Sequence, residues 1–317
     1  MGQAIGQAMR LVIDTDPGVD DALAIMMAQA HPGCTIEALT IVGGNVGLDH
    51  TLRNACFLKD VLKGEFPIYP GCGKALCWQP ENAAFVHGED GFGDVLEGTP
   101  KSTPETEHAA NAIVRLAREN PGELTLVTIG PLTNVALALR LEPDLPNLYQ
   151  RMVVMGGAVT GKGNVSNVSA EFNIYTDPEA AHMVFSEWPS FELADWEATM
   201  AHQFEFAALD EWLASNSPVA ELYRKISGQV RKFVTVSEPE NPKMRAADAL
   251  AMAVTLEPEN VTKSAERHVA VELSPGMTRG MTVVDWSERL GHKPNAHIAL
   301  QFDQARFEQL IQLGLSA

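Results

Sequence analysis

Four aspartates within eight residues form the densest group of chemically competent side chains in this sequence. Asp14 and Asp16 end a short apolar run, and Asp20 and Asp21 open the helical pattern that follows it. Carboxylates this close together repel one another unless some are protonated or a cation lies among them. Hard oxygen ligands of this kind suit Ca²⁺ or Mg²⁺, so the spacing indicates a divalent-cation site. The dipole of a helix start also favours acidic residues, which accounts for Asp20 and Asp21 but poorly for Asp14 and Asp16.

The segments that must position these aspartates alternate between apolar strand patterns and amphipathic helix patterns. Strands are predicted at 10–14, 35–42, 123–129, 151–155 and 191–194. Helices are predicted at 20–30, 49–63 and 178–187, and a further helix follows GPLTN and ends at 141. This alternation predicts an α/β fold with a parallel sheet that is buried on both faces. Three of the first four strands end in the loops DTDPGVDD, GGN and IGPLTN, and ligand sites form where such loops converge.

The second half of the sequence has a different pattern. It is predicted to be mainly helical over 201–236, with a helix near 246–256, strands at 268–273, 281–284 and 297–301, and a last helix at 303–313. No internal repeat, low-complexity tract or long linker divides the sequence. We therefore expect one domain over residues 1–317, with extra helical insertions in its C-terminal half.

The composition excludes several classes of function. With 23 Lys and Arg against 41 Asp and Glu, the net charge of −18 argues against binding to nucleic acid or to an anionic membrane. No stretch approaches the roughly 20 apolar residues that cross a bilayer. The N-terminal segment has no apolar core typical of a secretion signal, and four scattered cysteines do not make a disulfide framework. We therefore expect a cytoplasmic protein with reduced thiols.

The segment LVIDTDPGVDDALAI resembles the N-terminal signature of the inosine-uridine preferring nucleoside hydrolase family, D-x-D-P-G-x-D-D-A. Further matching motifs follow in the family's order: GGN, VHGEDGFG, IGPLTN, VMGG, AEFNIYTDPEAA and TRGMTVVD. The resemblance covers nearly the whole chain. It implies a Rossmann-like α/β fold, with a mostly parallel central sheet flanked by helices, that hydrolyses ribonucleosides to ribose and free base. It also implies a homodimer or homotetramer.

The resemblance further implies a bound Ca²⁺. Its ligands would be the carboxylates of Asp16, Asp21 and Asp248 and the backbone carbonyl of Ile129. Many members of the family carry Thr where this chain has Ile129, a change that a main-chain ligand tolerates. Asp16 would also act as the general base toward the attacking water.

The same resemblance assigns residues to the ribose. Its hydroxyls would be bound by Asp20, Asn45, Asn164, Glu171, Asn173 and Asp248, with Met155 packed against the ring. The spacing from Asn164 to Asn173 is one residue longer than usual, so Asn167 is a competing candidate. Turn formation is the ordinary role of a lone asparagine such as Asn45, and core packing is that of a methionine at a strand end.

One residue of the family pattern is absent from this sequence. Ala247 stands where many members carry a histidine that protonates the leaving base, and alanine cannot donate a proton. General acid help is commonly worth about 10²–10⁴ in rate, so we expect weak hydrolysis of inosine relative to an activated substrate such as a nitrophenyl riboside. His87 is one replacement candidate. Other candidates to contact the base are Trp78, Phe85, Trp196, Lys243 and Arg245.

Two other functions compete with this interpretation. A DxD after a strand also opens haloacid-dehalogenase phosphatases, in which Asp14 would attack phosphate, although that reading leaves the later motifs unexplained. Ala247 alternatively suggests a non-catalytic protein that binds nucleoside or ribose and retains the calcium site. The preferred base is not readable, because its contacts are expected in variable loops near 70–80 and 229–244.

Overall fold

The computed structural model of the protein describes residues 8–78, 82–215 and 217–317. The strands are β1 Met9–Thr15, β2 Cys34–Ile41, β3 Ile68–Pro70, β4 Leu124–Thr128, β5 Arg151–Met155, β6 Phe191–Ala194, β7 Phe204–Glu205, β8 Lys243–Met244, β9 Val261–Arg267, β10 Val269–Val271, β11 Thr282–Val284 and β12 Ala296–Phe302. The helices are α1 Val19–Ala30, α2 Leu48–Leu62, α3 Ala84–His87, α4 Ala109–Glu119, α5 Thr133–Leu141, α6 Leu145–Leu148, α7 Phe172–Thr176, α8 Pro178–Glu187, α9 Trp196–Ala201, α10 Phe206–Trp212, α11 Pro218–Ser237, α12 Ala247–Leu256 and α13 Gln304–Ser316.

An eight-stranded sheet with the order β3-β2-β1-β4-β5-β6-β12-β9 forms the centre of the fold. All neighbouring strands in it are parallel except the edge strand β9, which pairs antiparallel with β12. Helices cover the sheet, and the predicted α/β fold with a mostly parallel sheet is confirmed.

Both faces of the sheet are buried, which is why its strands read as continuous apolar runs. Leu11 and Ile13 of β1 join a cluster with α1, α11, α12 and α13, whereas Val12 points into a second cluster with α4, α5 and α8. Helix α1 is buried along most of its length because it packs against α12 and α13. The aspartates that follow β1 therefore lie on a rigid support.

The chain reverses its direction across the sheet at β1. Strands β2 and β3 lie on one side of β1, and β4, β5 and β6 lie on the other. Asp14 is aligned with Thr40 of β2 and with Thr128 of β4, so these three strands end at one edge of the sheet. Crevices at such a reversal are where open α/β sheets bind ligands.

The structure contains strands that the sequence patterns did not predict. It also places two predicted strands outside the main sheet and divides one predicted helical region. Strand β3 has only three residues, and β9 is a largely exposed edge strand of sequence VTKSAER, so neither shows an apolar run. Strands β10 and β11 pair with each other outside the main sheet. The predicted helical region 201–236 is divided, because α10 ends at Trp212 and Ser217 caps a new helix.

The predicted base-contacting loop near 70–80 lies partly outside the described residues. In the ranges that are described, no helix is both long and apolar enough to span a membrane.

Candidate active site

A cavity of about 680 Å³ opens at the reversal point of the sheet. Its walls come from segments that follow β1, β2, β4 and β5 and from helices α7, α11 and α12. Nine of the residues that the resemblance assigned to the metal, the ribose or catalysis line it: Asp20, Asn45, His87, Ile129, Met155, Asn164, Glu171, Asn173 and Asp248. The structure thus brings together side chains that are up to 228 positions apart in the sequence, from 20 to 248.

Asp21 is fully buried in the first turn of α1, beside this cavity. One carboxylate oxygen accepts hydrogen bonds from the Thr15 hydroxyl at 2.5 Å and the Asp16 amide at 3.3 Å. The other accepts from the Gly18 amide at 2.9 Å and the Asn45 side chain at 3.1 Å. Burial raises the pKa of Asp21 to about 6, and the four donors hold the carboxylate in one orientation.

Asp16 is fully buried as well, and only half of its carboxylate has a partner. Its Oδ2 accepts the Asn45 amide at 2.7 Å, whereas its Oδ1 has no partner among the described residues. A Cβ at Gly44 would lie 2.3 Å from Oδ2, and one at Gly130 would lie 2.6 Å from Oδ1. These glycines let the backbone close around the carboxylate. Burial, followed by the charge of Asp21, raises the pKa of Asp16 well above its ordinary value.

Three carboxylates converge where α1 and α12 begin. Asp20, Asp21 and Asp248 each place an oxygen within 4.8 Å of the others. Burial, and then the charges of Asp20, Asp21 and Asp16, raise the pKa of Asp248 well above its ordinary value. A cation would relieve this repulsion, and carboxylate oxygens match Ca²⁺ or Mg²⁺. The resemblance had predicted Asp16, Asp21 and Asp248 as the carboxylate ligands, whereas the three that converge include Asp20 and not Asp16. Asp16 nevertheless lies close enough for its charge to raise the pKa of Asp248.

The opposite part of the cavity is built around Glu171, the residue that caps α7. Its carboxylate accepts the amides of Asn173 at 2.9 Å, Ile174 at 3.2 Å and Gly157 at 2.9 Å. Burial raises the pKa of Glu171 to about 7. The capping bonds fix the carboxylate against the loop that follows β5.

Asn173 connects two of the predicted residues. Its side-chain amide donates to the Ile129 carbonyl at 3.2 Å and contacts the Met155 sulfur, also at 3.2 Å. The Ile129 carbonyl therefore lies at the cavity, as a main-chain ligand would require. Met155 is 3% exposed and lines the same wall, so it is both a core residue and a cavity residue.

The structure separates the two asparagine candidates. Asn164 lines the cavity. The Asn167 side chain donates to the Arg279 carbonyl at 2.7 Å and accepts the amides of Ser169 and Ala170, so it stabilises the loop. This placement favours Asn164 as the residue that faces a ligand.

His87 lies in the cavity wall at the end of α3. Its Nδ1 accepts the backbone amide of Val19 at 3.3 Å, which places the proton of a neutral ring on Nε2. Burial lowers the pKa of His87 to about 4. In this arrangement His87 is neutral near pH 7 and can donate a hydrogen bond, but it carries no excess proton to transfer. Its catalytic role stays a prediction.

The other candidates for contact with a base divide into two groups. Phe85, Trp196 and Arg245 line the cavity together with Ala247. Lys243 and Trp78 are absent from the described lining: Lys243 pairs with Glu205 at 2.8 Å, and the Trp78 ring packs edge-on against Tyr175 at 5.1 Å.

Asp14 is placed differently from the other acidic residues. It is fully buried, and one oxygen accepts from the Thr40 hydroxyl at 2.6 Å and from Asn134 at 2.9 Å. Burial raises the pKa of Asp14 to about 7. Within the described lining of the cavity Asp14 is absent, a position that does not suit the nucleophile of a phosphatase.

Several cavity residues were not singled out individually in the sequence analysis. Val230, Phe233 and Val234 of α11 line the cavity, although their spacing is that of an ordinary core stripe. Tyr175 follows the AEFN motif and also lines it. The region 229–244 had been expected to contact the base, and this apolar wall is consistent with that expectation.

Comparisons with known proteins find relatives along nearly the whole chain. The profile described as "Inosine-uridine preferring nucleoside hydrolase" matches residues 11–309. The pyrimidine-specific ribonucleoside hydrolase RihA of Salmonella schwarzengrund is 35% identical over 308 residues, which cover 96% of this chain and 97% of that protein. A plant nucleoside hydrolase, PpNRh1, superimposes with a TM-score of 0.90 at 28% identity and covers 98% of this chain and 99% of its own. An inosine-guanosine nucleoside hydrolase gives 0.90 at 30% identity, covering 97% and 98%.

Proposed function

The chain belongs to the inosine-uridine preferring nucleoside hydrolase family and is an N-ribosyl hydrolase, and we propose that Asp16 is the base that activates its attacking water. The observation that carries this proposal is the Asp16 carboxylate, which is buried with Oδ1 unpartnered among the described residues and, with Asp20, Asp21 and Asp248, forms what we call the acidic group. A buried acceptor without a donor needs a ligand to complete it. A water molecule at Oδ1 would complete it and could give up its proton there.

The reaction requires negative charge near the sugar. Cleavage of an N-glycosidic bond builds positive, oxocarbenium-like character on the ribosyl ring, and preorganised carboxylates stabilise that charge. Asp20, Asp248 and Glu171 line the cavity in which the ring would lie. Asp16 accepts a proton from the water while the oxygen of that water bonds to the anomeric carbon.

We propose a calcium ion in the acidic group. Its ligands would be Asp16, Asp21, Asp248 and the Ile129 carbonyl, with Asp20 as a competing ligand because it lies in the converging set. The raised pKa values of Asp16 and Asp248 support a cation, since burial and mutual repulsion disfavour these carboxylates in the protein alone. When bound, Ca²⁺ would keep the carboxylates ionised and would orient and acidify a water molecule.

The ribose would be held by hydrogen bonds at every hydroxyl. The side chains that supply them are Asp20, Asn45, Asn164, Glu171, Asn173 and Asp248, all in the cavity wall. A sugar that lacks one hydroxyl leaves a buried partner unsatisfied, so the site should reject deoxyribonucleosides. Met155 would pack against the ring. His87 would contribute the hydrogen bond of its neutral ring near the base.

The preferred base is a further part of the proposal. RihA is named pyrimidine-specific, whereas one structural neighbour is named for inosine and guanosine, so the relatives do not agree. Ala247 removes the usual acid, which supports substrates whose base leaves without full protonation. Ala247 equally supports the second candidate, a nucleoside-binding protein without turnover.

The remaining inferences from the family are that the enzyme forms a homodimer or homotetramer and acts in the cytoplasm in nucleoside salvage. These inferences stay predictions.

A reducing-sugar assay tests the proposed function. The panel contains uridine, cytidine, inosine, adenosine and their 2′-deoxy counterparts, each with and without chelator. We expect ribose from at least one ribonucleoside, at least about 10²-fold less sugar from its deoxy counterpart, and loss of activity on chelation that Ca²⁺ restores. Nucleoside binding by calorimetry without release of sugar from any member would favour the non-catalytic candidate.

A further inference from the structure

Arg245 is the one lysine or arginine among the described residues that line the cavity. This is unexpected in a chain of net charge −18, whose cavity also contains Asp20, Glu171 and Asp248. A permanent positive charge opposes the stabilisation of a cationic sugar. It is therefore expected to act at a different part of the substrate.

The surroundings of Arg245 hold it in place without using all its donors. Its side chain is 16% exposed, and one terminal nitrogen is bonded to Glu238, which also lines the cavity. Its Nε is buried and has no hydrogen-bond partner in the described part of the chain. A buried donor without an acceptor loses its hydration without compensation, and a bound ligand would supply the acceptor.

The position of Arg245 in the chain places it near the leaving base. It lies two residues before Ala247, the first residue of α12 and the position of the missing acid. Phe233 and Glu238 of the neighbouring segment line the same cavity, and Arg245 is anchored to Glu238. Of the proposed ribose residues only Asp248 follows Arg245 in the same segment, and the wall that Phe233, Glu238 and Arg245 form is left for the base.

A guanidinium ion cannot replace the histidine as an acid, because it does not give up its proton in proteins. It can donate directed hydrogen bonds and offset negative charge on an oxygen. Electrostatic stabilisation of charge that develops in the transition state is commonly worth about 10²–10³ in rate for one donor. An oxygen on the departing base is the atom on which such charge would gather.

We propose that Arg245 binds a carbonyl oxygen of the base and stabilises the base as it leaves as an anion. This inference rests on the proposed hydrolase function. The C–N bond breaks with its electron pair passing to the ring nitrogen and, by conjugation, to the carbonyl oxygen beside Arg245. The water oxygen bonds to the anomeric carbon, and the water proton passes to Asp16. After release, the anion of the base takes up a proton from solvent, and Asp16 gives the proton that it took from the water back to solvent.

The proposal defines the class of substrate. Bases with a carbonyl conjugated to the glycosidic nitrogen, such as uracil, can place charge on an oxygen at Arg245. Adenine has no carbonyl oxygen on which charge could gather at Arg245, so it should gain less from this residue. The enzyme should therefore prefer oxo bases to adenine, and the preference should depend on Arg245.

Two substrates separate the role of Arg245 from the rest of the reaction. Uridine needs help with its leaving group, whereas 4-nitrophenyl riboside releases a stable phenolate and needs little. We expect Arg245→Ala to lower kcat for uridine by about 10²-fold and kcat for the nitrophenyl riboside by less than about 3-fold. Arg245→Lys should retain part of the uridine activity because it keeps the charge without the fork of donors.

Lys243→Ala is the matched control, because Lys243 is two residues away and pairs with Glu205 outside the described cavity lining. It should leave both substrates unchanged. Arg245→Gln is a second variant that keeps a long polar side chain, and the melting temperatures of the Arg245 variants show whether each of them is folded. Equal losses on both substrates in folded variants, or no loss on uridine, would overturn the inference about Arg245 alone. A wild-type protein that hydrolyses neither substrate would instead overturn the proposed function.

Discussion

Asp16 is the single side chain on which the proposed chemistry depends most. We expect Asp16→Asn to lower kcat by about 10²–10⁴ in the reducing-sugar assay, because an amide cannot accept the water proton. The metal-free variant should melt no lower than the wild type, since the substitution removes a carboxylate that burial and Asp21 disfavour.

Asp14→Asn is the matched control for this substitution. Asp14 is equally buried, but it bonds to Thr40 and Asn134, and its charge is not among those that raise the pKa of Asp248. Its loss should cost stability more than kcat. If Asp14→Asn abolishes turnover while Asp16→Asn retains it, Asp16 is not the base.

The four aspartates from Asp14 to Asp21 could be found from the sequence because their close spacing indicates a cation site. Asp248 came from the family resemblance, and the structure brings it together with Asp20 and Asp21, whereas Asp16 had been expected in the place of Asp20. The contact between Asn173 and the Ile129 carbonyl could not be found, because it depends on how α7 is placed against β4. The same holds for Phe233, whose helical spacing is that of any buried stripe.

Among the elements, the close packing of α13 against α1 should make the stability of the protein sensitive to substitution of a glycine in α13. A Cβ at Gly314 of α13 would lie 2.9 Å from the Met27 backbone, whereas nothing lies within 4 Å of one at Gly228 of α11. We expect Gly314→Ala to lower the free energy of unfolding by about 1–3 kcal/mol through overpacking. Gly228→Ala should be neutral or raise it by up to about 1 kcal/mol, since alanine favours the helix.

Chemical denaturation measures both variants, and neither substitution touches the cavity. An equal effect of the two would show that helix propensity, and not the close contact of α13 with α1, decides the outcome.

A carboxyl at the start of α9 should make stability depend on pH. Asp195 caps α9, accepts the Val159 amide at 3.0 Å and shares a hydrogen bond with Glu197. Burial raises the pKa of Asp195 to about 7, whereas an unfolded aspartate ionises near pH 4. Between these values Asp195 binds more protons in the folded state, so its contribution to the free energy of unfolding falls as the pH rises from about 4 to 7.

Asp195→Asn should flatten this dependence, because an amide does not titrate. The slope for one proton is at most about 1.4 kcal/mol per pH unit. Thermal melts of both proteins at several pH values measure the difference between their slopes. Parallel curves would mean that Asp195 is not protonated in the folded protein at pH 5–6.

The elements themselves were predictable where burial dictates the pattern. β1, β4 and β5 were found because both of their faces are covered and each contains a mostly apolar run. β9 was missed because an exposed edge strand needs no such run. The pairing of β10 with β11 outside the sheet depends on tertiary packing that the sequence does not display.

For the molecule as a whole, the acidic group links metal binding to stability. The buried carboxylates oppose one another in the protein alone, so a cation that binds only the folded state should stabilise it. At about 100 times its dissociation constant, Ca²⁺ would add about 2.7 kcal/mol to the free energy of unfolding. Differential scanning calorimetry should show that Ca²⁺ raises the melting temperature of the wild-type protein. In the Asp248→Asn variant Ca²⁺ should leave the melting temperature unchanged.

The overall architecture was the most predictable feature, because alternating strands and helices with motifs at the strand ends admit few arrangements. The expectation of one domain over residues 1–317 stays a prediction. So does the oligomeric state, since the composition carries no information on it.

A crystal structure of the protein grown with calcium and ribose addresses the metal and the sugar together. We expect one ion bonded to the carboxylates of Asp16, Asp21 and Asp248 and to the Ile129 carbonyl, with ribose hydroxyls completing its shell at about 2.3–2.6 Å. Density for the ion on Asp20 in place of Asp16 would correct the ligand set. No ion among these oxygens, or ribose bound away from them, would contradict the account.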